Sequence, residues 1–267
     1  MKNMISSSRL PAPFLSGVAP ALLGTLCLVL LLIPAQAFPA QWRVVPARVF
    51  LEREAKSSVI TVVNEGDEKI NLQVQAVEWS QDADGKDVYR ETGDLIFFPR
   101  ILQIGKGEQR LIRAGIKMAV PANEKTYRLF IEEIPQPKKS TPDSTQLTVA
   151  IKFGVPFFVR PVKDELGGEL AKSALAKGVY SVTVKNTGNA HFRITDVSIQ
   201  GKNAKGEETF ASKLNGWYLL TGASRTYTAP IPQDKCSGTR QLAVTVATDT
   251  KITLTGTLDV DKAQCLP

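Results

Sequence analysis

The chain has one histidine, His191, among its 267 residues, so any histidine-based catalytic group would have to be built around that position. No Gly-x-Ser-x-Gly elbow and no His-Glu-x-x-His helix motif accompanies it. Glu132 and Glu133 are adjacent. On a strand they point to opposite faces, so they cannot work on one substrate bond. Three cysteines are present, and Cys27 falls in an apolar leader, which leaves Cys236 and Cys265 as an even pair in an exported protein. That pairing is read as one disulfide, contributing about 3–4 kcal/mol for a loop of this size. Two cysteines and one histidine fall short of the four ligands zinc usually takes, so no metal and no cofactor are expected, and His191 is read as a half-buried strand residue. An enzyme is not expected.

The pattern with the most chemical meaning is one of binding. From Leu147 to Val159 every odd position is apolar: Leu147, Val149, Ile151, Phe153, Val155, Phe157 and Val159. A strand sends all seven to one face, while the even positions, Thr148 through Phe158, are mixed. At about 3.3 Å per residue this row is longer than a sandwich about 30 Å long requires. Part of it is therefore expected to project beyond its own core, as an edge that presents hydrophobic pegs to something else.

The elements that must position this row are almost wholly of period two. Leu72, Val74 and Ala76 alternate with Gln73 and Gln75, and Tyr127, Leu129 and Ile131 with Arg128, Phe130 and Glu132. Val182 and Val184, then Leu242, Val244 and Val246, repeat the pattern. Turn residues separate the strands at Asn64-Glu65-Gly66-Asp67, Asp84-Gly85, Gly105-Lys106-Gly107 and Asn186-Thr187-Gly188-Asn189. Such punctuation predicts an all-β protein of two immunoglobulin-like β-sandwich domains in tandem. A weak repeat supports two copies of one design, since Val62-Val63-Asn64-Glu65-Gly66 and Val184-Lys185-Asn186-Thr187-Gly188 both end a valine-rich strand with Asn-x-Gly.

The first residues set the expected compartment. Lys2 and Arg9 precede an apolar run from Ala21 to Ile33 and the small-residue signature Ala35-Gln36-Ala37. This reads as a signal peptide over residues 1–37, with no membrane insertion of the mature chain. The expected domains are then 38–160, carrying the apolar row, and 161–267, with a hinge at Arg160-Pro161. Against 26 acidic residues the 33 basic ones make a modest excess, and they are scattered, so nucleic acid is not a predicted partner.

The ordered pieces Pro46-Ala47-Arg48-Val49-Phe50, Pro99 with Gly105-Lys106-Gly107, Leu111-Ile112-Arg113, Tyr127 through Pro135, and Pro156-Phe157-Phe158-Val159-Arg160-Pro161 resemble the pilus-assembly chaperones of the chaperone–usher pathway. The resemblance spans nearly all of 42–265. It implies a periplasmic chaperone that stabilises pilus or fimbrial subunits by donor-strand complementation and delivers them to an outer-membrane usher. Leu147, Val149 and Ile151 match the pegs inserted into the subunit, with Phe153 a fourth. Arg48 matches the first of two cations that hold the subunit's terminal carboxylate. The second is usually a lysine at the position of Pro156, which departs from the pattern and leaves Lys152 as the weaker candidate. Arg160 matches an arginine of an interdomain ion-pair network, and 136–146 the loop before the donor strand. The alternative reading is a structural pilus subunit or adhesin of the same fold.

Overall fold

The computed structural model describes residues 42–117, 119, 121–135 and 149–266. The leader, the loop 136–146 and Leu147 lie outside them. The first sandwich packs a four-stranded sheet, ordered β1 (Trp42–Val45), β3 (Ser57–Asn64), β8 (Gln109–Ile116) and β6 (Leu95–Phe98), on a six-stranded one. The latter runs β2 (Val49–Leu51), β10 (Lys152–Val159), β9 (Lys125–Glu133), β4 (Ile70–Gln81) and β5 (Asp87–Glu91), with β7 (Ile101–Ile104) also on β4. Alternation explains the core: Leu72, Val74 and Ala76 of β4 and Tyr127, Leu129 and Ile131 of β9 all turn into one cluster with Val155, Phe157 and Val159 of β10.

The second sandwich repeats the design. Its three-stranded sheet is β11 (Gly168–Ala176), β12 (Val179–Asn186) and β16 (Ser224–Pro230). It packs on β14 (Glu208–Asn215), β13 (Phe192–Lys202), β17 (Gln241–Thr248) and β18 (Thr253–Asp259), with β15 (Tyr218–Leu219) on β13. Val182, Val184, Leu242, Val244 and Val246 fill its core. A short helix α1 (Gln233–Gly238) and a 3-10 turn (Lys262–Cys265) are joined by a disulfide between Cys236 and Cys265, whose Cα atoms lie 5.7 Å apart.

The Asn-x-Gly repeat has a physical basis. Asn64 is buried, its Nδ2 donates to the carbonyls of Glu68 and Ile104, and its Oδ1 accepts from the Gly66 amide. Asn186 is buried too, donates to the carbonyls of Ala190 and Leu219, and accepts from the Gly188 amide. Each asparagine satisfies carbonyls that a turn would otherwise leave buried and unpaired. Gly85 is required for a different reason: φ is +75°, and a Cβ there would meet the Ser224 carbonyl of the second sandwich.

Candidate strand-binding edge

β10 is laddered on one side and open on the other. It pairs antiparallel with β9 over its whole length, from Lys152 opposite Glu132 to Val159 opposite Lys125. On its second side the parallel strand β2 covers only Phe157, Phe158 and Val159. From Lys152 to Val155 that side has no strand partner among the described residues.

Which backbone groups face the open side follows from two hydrogen bonds. The Glu133 amide donates to the Ile151 carbonyl at 2.9 Å, so odd-numbered residues turn their backbone groups toward β9. The Arg160 amide donates to the Leu51 carbonyl at 2.9 Å, so even-numbered residues turn theirs toward β2 and the open stretch. The open side therefore carries the amides and carbonyls of Lys152 and Gly154, while the parallel Phe157–Val49 pairing engages the Pro156 carbonyl with β2. Pro156 has no N–H to offer. It falls where that missing donor breaks no ladder bond to β9.

The apolar row fades from core to surface toward its start. Val155, Phe157 and Val159 are buried, Ile151 and Phe153 are half-buried against the same core, and Val149 is 69% exposed. The Phe153 ring meets Trp42 edge-on at 4.8 Å between centroids. The strand expected from Leu147 is described only from Lys152, with one more ladder bond at Ile151. Its neighbour β9 is a strand only to Glu133, and the next amide, Ile134, donates to the Asn71 carbonyl on the β4 side, so among the described residues the ladder with β10 ends at the Glu133–Ile151 bond.

The predicted cations are dispersed. Lys152 lies opposite Glu132, pairs with its carboxylate at 3.1 Å and sits over the Phe130 ring. Arg160 pairs with Glu52 at 3.2 Å and covers the Phe50 ring, both within the first sandwich rather than across the junction. Arg48 reaches the second sandwich, where its Nη1 is 3.7 Å from Asp249 Oδ2. Asp249 is fixed by Arg193, whose amide donates to its Oδ1 at 2.8 Å and whose carbonyl accepts from its amide at 2.9 Å.

A cation that sequence reasoning missed stands beside Pro156. Arg128 is directly opposite Pro156 on β9, and Arg48, one residue before the Val49–Phe157 pair, flanks it on the other side. The Arg128 guanidinium lies 3.9 Å over the Trp79 ring, and its Nη1 donates to the Gly154 carbonyl at 2.9 Å. The residue is only 8% exposed, its Nε is buried without a partner, and it makes no ion pair with a described residue. Period two places it only on the face opposite Tyr127, Leu129 and Ile131. Only the cross-strand register, which one sequence does not carry, puts it at this place. Close by, burial and then the Asp87 carboxylate push the Tyr89 phenol above its ordinary value.

Behind this edge the two sandwiches meet. Phe158, the even-face neighbour of Pro156, is fully buried with Trp79, Tyr218 and Leu220. The His191 ring stacks on it at 3.6 Å, and His191 Nδ1 lies 2.7 Å from Glu124 Oε1. His191 thus precedes β13 rather than lying in it, as a junction residue. Gln81 clasps the Tyr218 carbonyl and the Leu220 amide, and Trp217 donates to Asp87. Among the described residues no cluster of His, Cys, Asp or Glu is placed to hold a metal, and no helix is long and apolar enough to cross a membrane.

Comparison with known proteins agrees with this architecture. The family model of the pili and flagellar-assembly chaperone PapD N-terminal domain matches residues 42–164. No curated protein matches the sequence. Among solved structures, the CsuC–CsuE chaperone–tip adhesion subunit pre-assembly complex from archaic chaperone-usher Csu pili of Acinetobacter baumannii aligns with a TM-score of 0.56 at 18% identity, over 80% of this chain and 98% of that one. The class 5 fimbriae chaperone CfaA gives 0.52 at 13% identity, over 81% and 98%. The Salmonella enterica SafA pilin–SafB chaperone complex gives 0.52 at 15%, over 84% and 99%. At these identities the likeness is one of fold, two tandem immunoglobulin-like sandwiches. The family model thus identifies the first sandwich, residues 42–164, as a pili and flagellar-assembly chaperone PapD N-terminal domain, and both sandwiches together share the fold of the solved chaperones.

Proposed function

We propose that this protein is a periplasmic chaperone that binds pilus or fimbrial subunits by donor-strand complementation and passes them to an outer-membrane usher. The observation that carries the reading is the side of β10 from Lys152 to Val155, which has no ladder partner among the described residues and continues upstream into exposed Val149. A subunit that lacks one strand of its own sandwich exposes an apolar groove and an unpaired edge, an aggregation hazard. The β10 edge supplies ladder groups for that edge, and Leu147, Val149 and Ile151, with Phe153 at the margin of its own core, supply the pegs. Each aliphatic peg contributes about 1.5–3 kcal/mol when buried. Nothing in this exchange requires catalysis.

Arg48 serves as the first carboxylate anchor, since a guanidinium suits two-point capture of a carboxylate. The boundary at Arg160-Pro161 divides the first sandwich, 38–160, from the second, 161–267, with Arg160 tied to Glu52 and Phe50 of the first, and the Cys236–Cys265 link ties down the end of the second. Export through the leader 1–37 places the protein beside its subunits. The solved complexes of chaperones with a pilin and with a tip subunit support subunits of this kind as guests.

Capture from a periplasmic extract on the immobilised protein tests the reading. One small immunoglobulin-like subunit lacking its last strand should be recovered in a one-to-one complex. Recovery of assorted unfolded proteins without such a subunit overturns it.

A further inference from the structure

Resting on the donor-edge reading, we propose that Gly154 and Phe130 form a side-chain slot on that edge, which selects guest strands carrying an aromatic residue opposite Gly154, with Phe130 as the specificity-determining residue. On the even face of β10, the open stretch and the proline that ends it present Lys152, Gly154 and Pro156, and the middle position has no side chain. A glycine inside a strand weakens it and marks a place where something approaches closely. Two approaches meet at this one, from either side of the strand.

From the laddered side comes Phe130, which is paired directly opposite Gly154. Paired Cβ atoms on neighbouring strands stand about 4.5–5.5 Å apart. Phe130 Cε1, however, lies 2.9 Å and Cδ1 3.3 Å from where a Gly154 Cβ would be. The ring therefore leans across β10 instead of standing over β9, and only a glycine leaves it room. The Tyr89 ring meets it edge-on at 5.2 Å and 82°, and Lys152 Nζ stands 4.7 Å from its centroid. Arg128 Cδ, 3.8 Å from the same Cβ position, lines the slot beside the ring. Both lining groups are carbon.

From the open side comes the guest. A strand added along β10 places one residue opposite Gly154 with its side chain on this same face. That residue is two strand spacings from β9, about 10 Å, which ordinarily puts a β9 side chain out of reach. With a glycine between them and the Phe130 ring already leaning across it, the guest residue's neighbour becomes Phe130. The Gly154 carbonyl, which accepts from Arg128 Nη1, keeps a second lone pair for the guest's backbone.

The surroundings favour an aromatic occupant. Lys152 is committed to the Glu132 carboxylate at 3.1 Å and to the Phe130 ring, and the Arg128 guanidinium lies over the Trp79 ring. A short polar side chain would leave the Phe130 edge in water. A ring fills the gap and adds an aromatic pair to the one Phe130 already makes with Tyr89. Phe130 is half-buried, so it keeps surface for that contact.

The test uses the full mature chain and two alternating valine–threonine octapeptides, identical except that a central threonine of one is replaced by phenylalanine. The wild type should bind the phenylalanine peptide about fivefold more tightly than its parent, the range of an aromatic pair. Two variants remove the slot in different ways: Gly154→Ala displaces the ring, and Phe130→Leu replaces it at a site outside the core row. In both, the parent should bind within about twofold of wild type while the advantage of phenylalanine disappears. An advantage that survives in either variant contradicts the proposal. A measurement on the wild type needs no variant: nuclear Overhauser contacts should connect the peptide's phenylalanine ring to the Phe130 ring, and a bound peptide that shows none refutes the slot. Failure of the donor-edge reading looks different, since then neither peptide binds, or Val149→Asp leaves both affinities unchanged, and the slot falls with it.

Discussion

Val149→Asp combined with Ile151→Asp is expected to weaken subunit binding by at least about a hundredfold, since two pegs of about 1.5–3 kcal/mol each are replaced by carboxylates that an apolar groove cannot hydrate. The two positions differ in what else they do. Val149 is 69% exposed, so its substitution leaves the chaperone's own stability unchanged. Ile151 packs on the margin of the first core, and its carbonyl still accepts from Glu133, so its substitution also lowers the melting temperature. The single Val149→Asp variant therefore isolates the binding effect, at about tenfold or more. Co-purification with the captured subunit and an isothermal titration measure both. Undiminished binding by the folded double variant contradicts the peg row.

Phe158→Ala is expected to cost about 3–5 kcal/mol in denaturant unfolding, as for other fully enclosed aromatic side chains. The ring has no exposed surface and touches both sandwiches, with His191 at 3.6 Å, Phe50 at 5.4 Å, Tyr218 at 5.8 Å and Trp79 at 6.0 Å between centroids. Its removal leaves a cavity between two separately cored bodies, which can swing apart rather than collapse inward. Among the links that remain, the hydrogen bonds of Gln81 to Tyr218 and Leu220 and of Glu124 to His191 are polar and individually weaker. Trp79 should become wetter, shifting its fluorescence to longer wavelength. A loss below about 1 kcal/mol with unshifted fluorescence contradicts this account of the junction.

The sequence made the strands legible because each sandwich face imposes period two: Leu72, Val74 and Ala76, or Leu242, Val244 and Val246, are apolar in the order in which they are buried. It also marked the two turns built on Asn64 and Asn186, because the same buried side-chain geometry requires the same residue twice. What it could not carry is register and the packing of one sandwich on the other. Arg128 and Phe158 both lie on the face opposite the core row, and it takes Trp79, Tyr218 and Leu220 to cover that face. The start of β10 depends on register in the same way, with Val149 to Ile151 described outside the strand and Leu147 outside the described residues. Apolar alternation runs on to Leu147, while the ladder depends on β9, which stops at Glu133.

The central claim is that a guest pairs along the uncovered side of β10. Amide hydrogen exchange, followed with and without the captured subunit, addresses it directly. Slowed exchange across 149–156, including Lys152 and Gly154, with the outer strand β18 unaffected, is the predicted result. A tightly bound subunit that leaves exchange in 149–156 unchanged would contradict it.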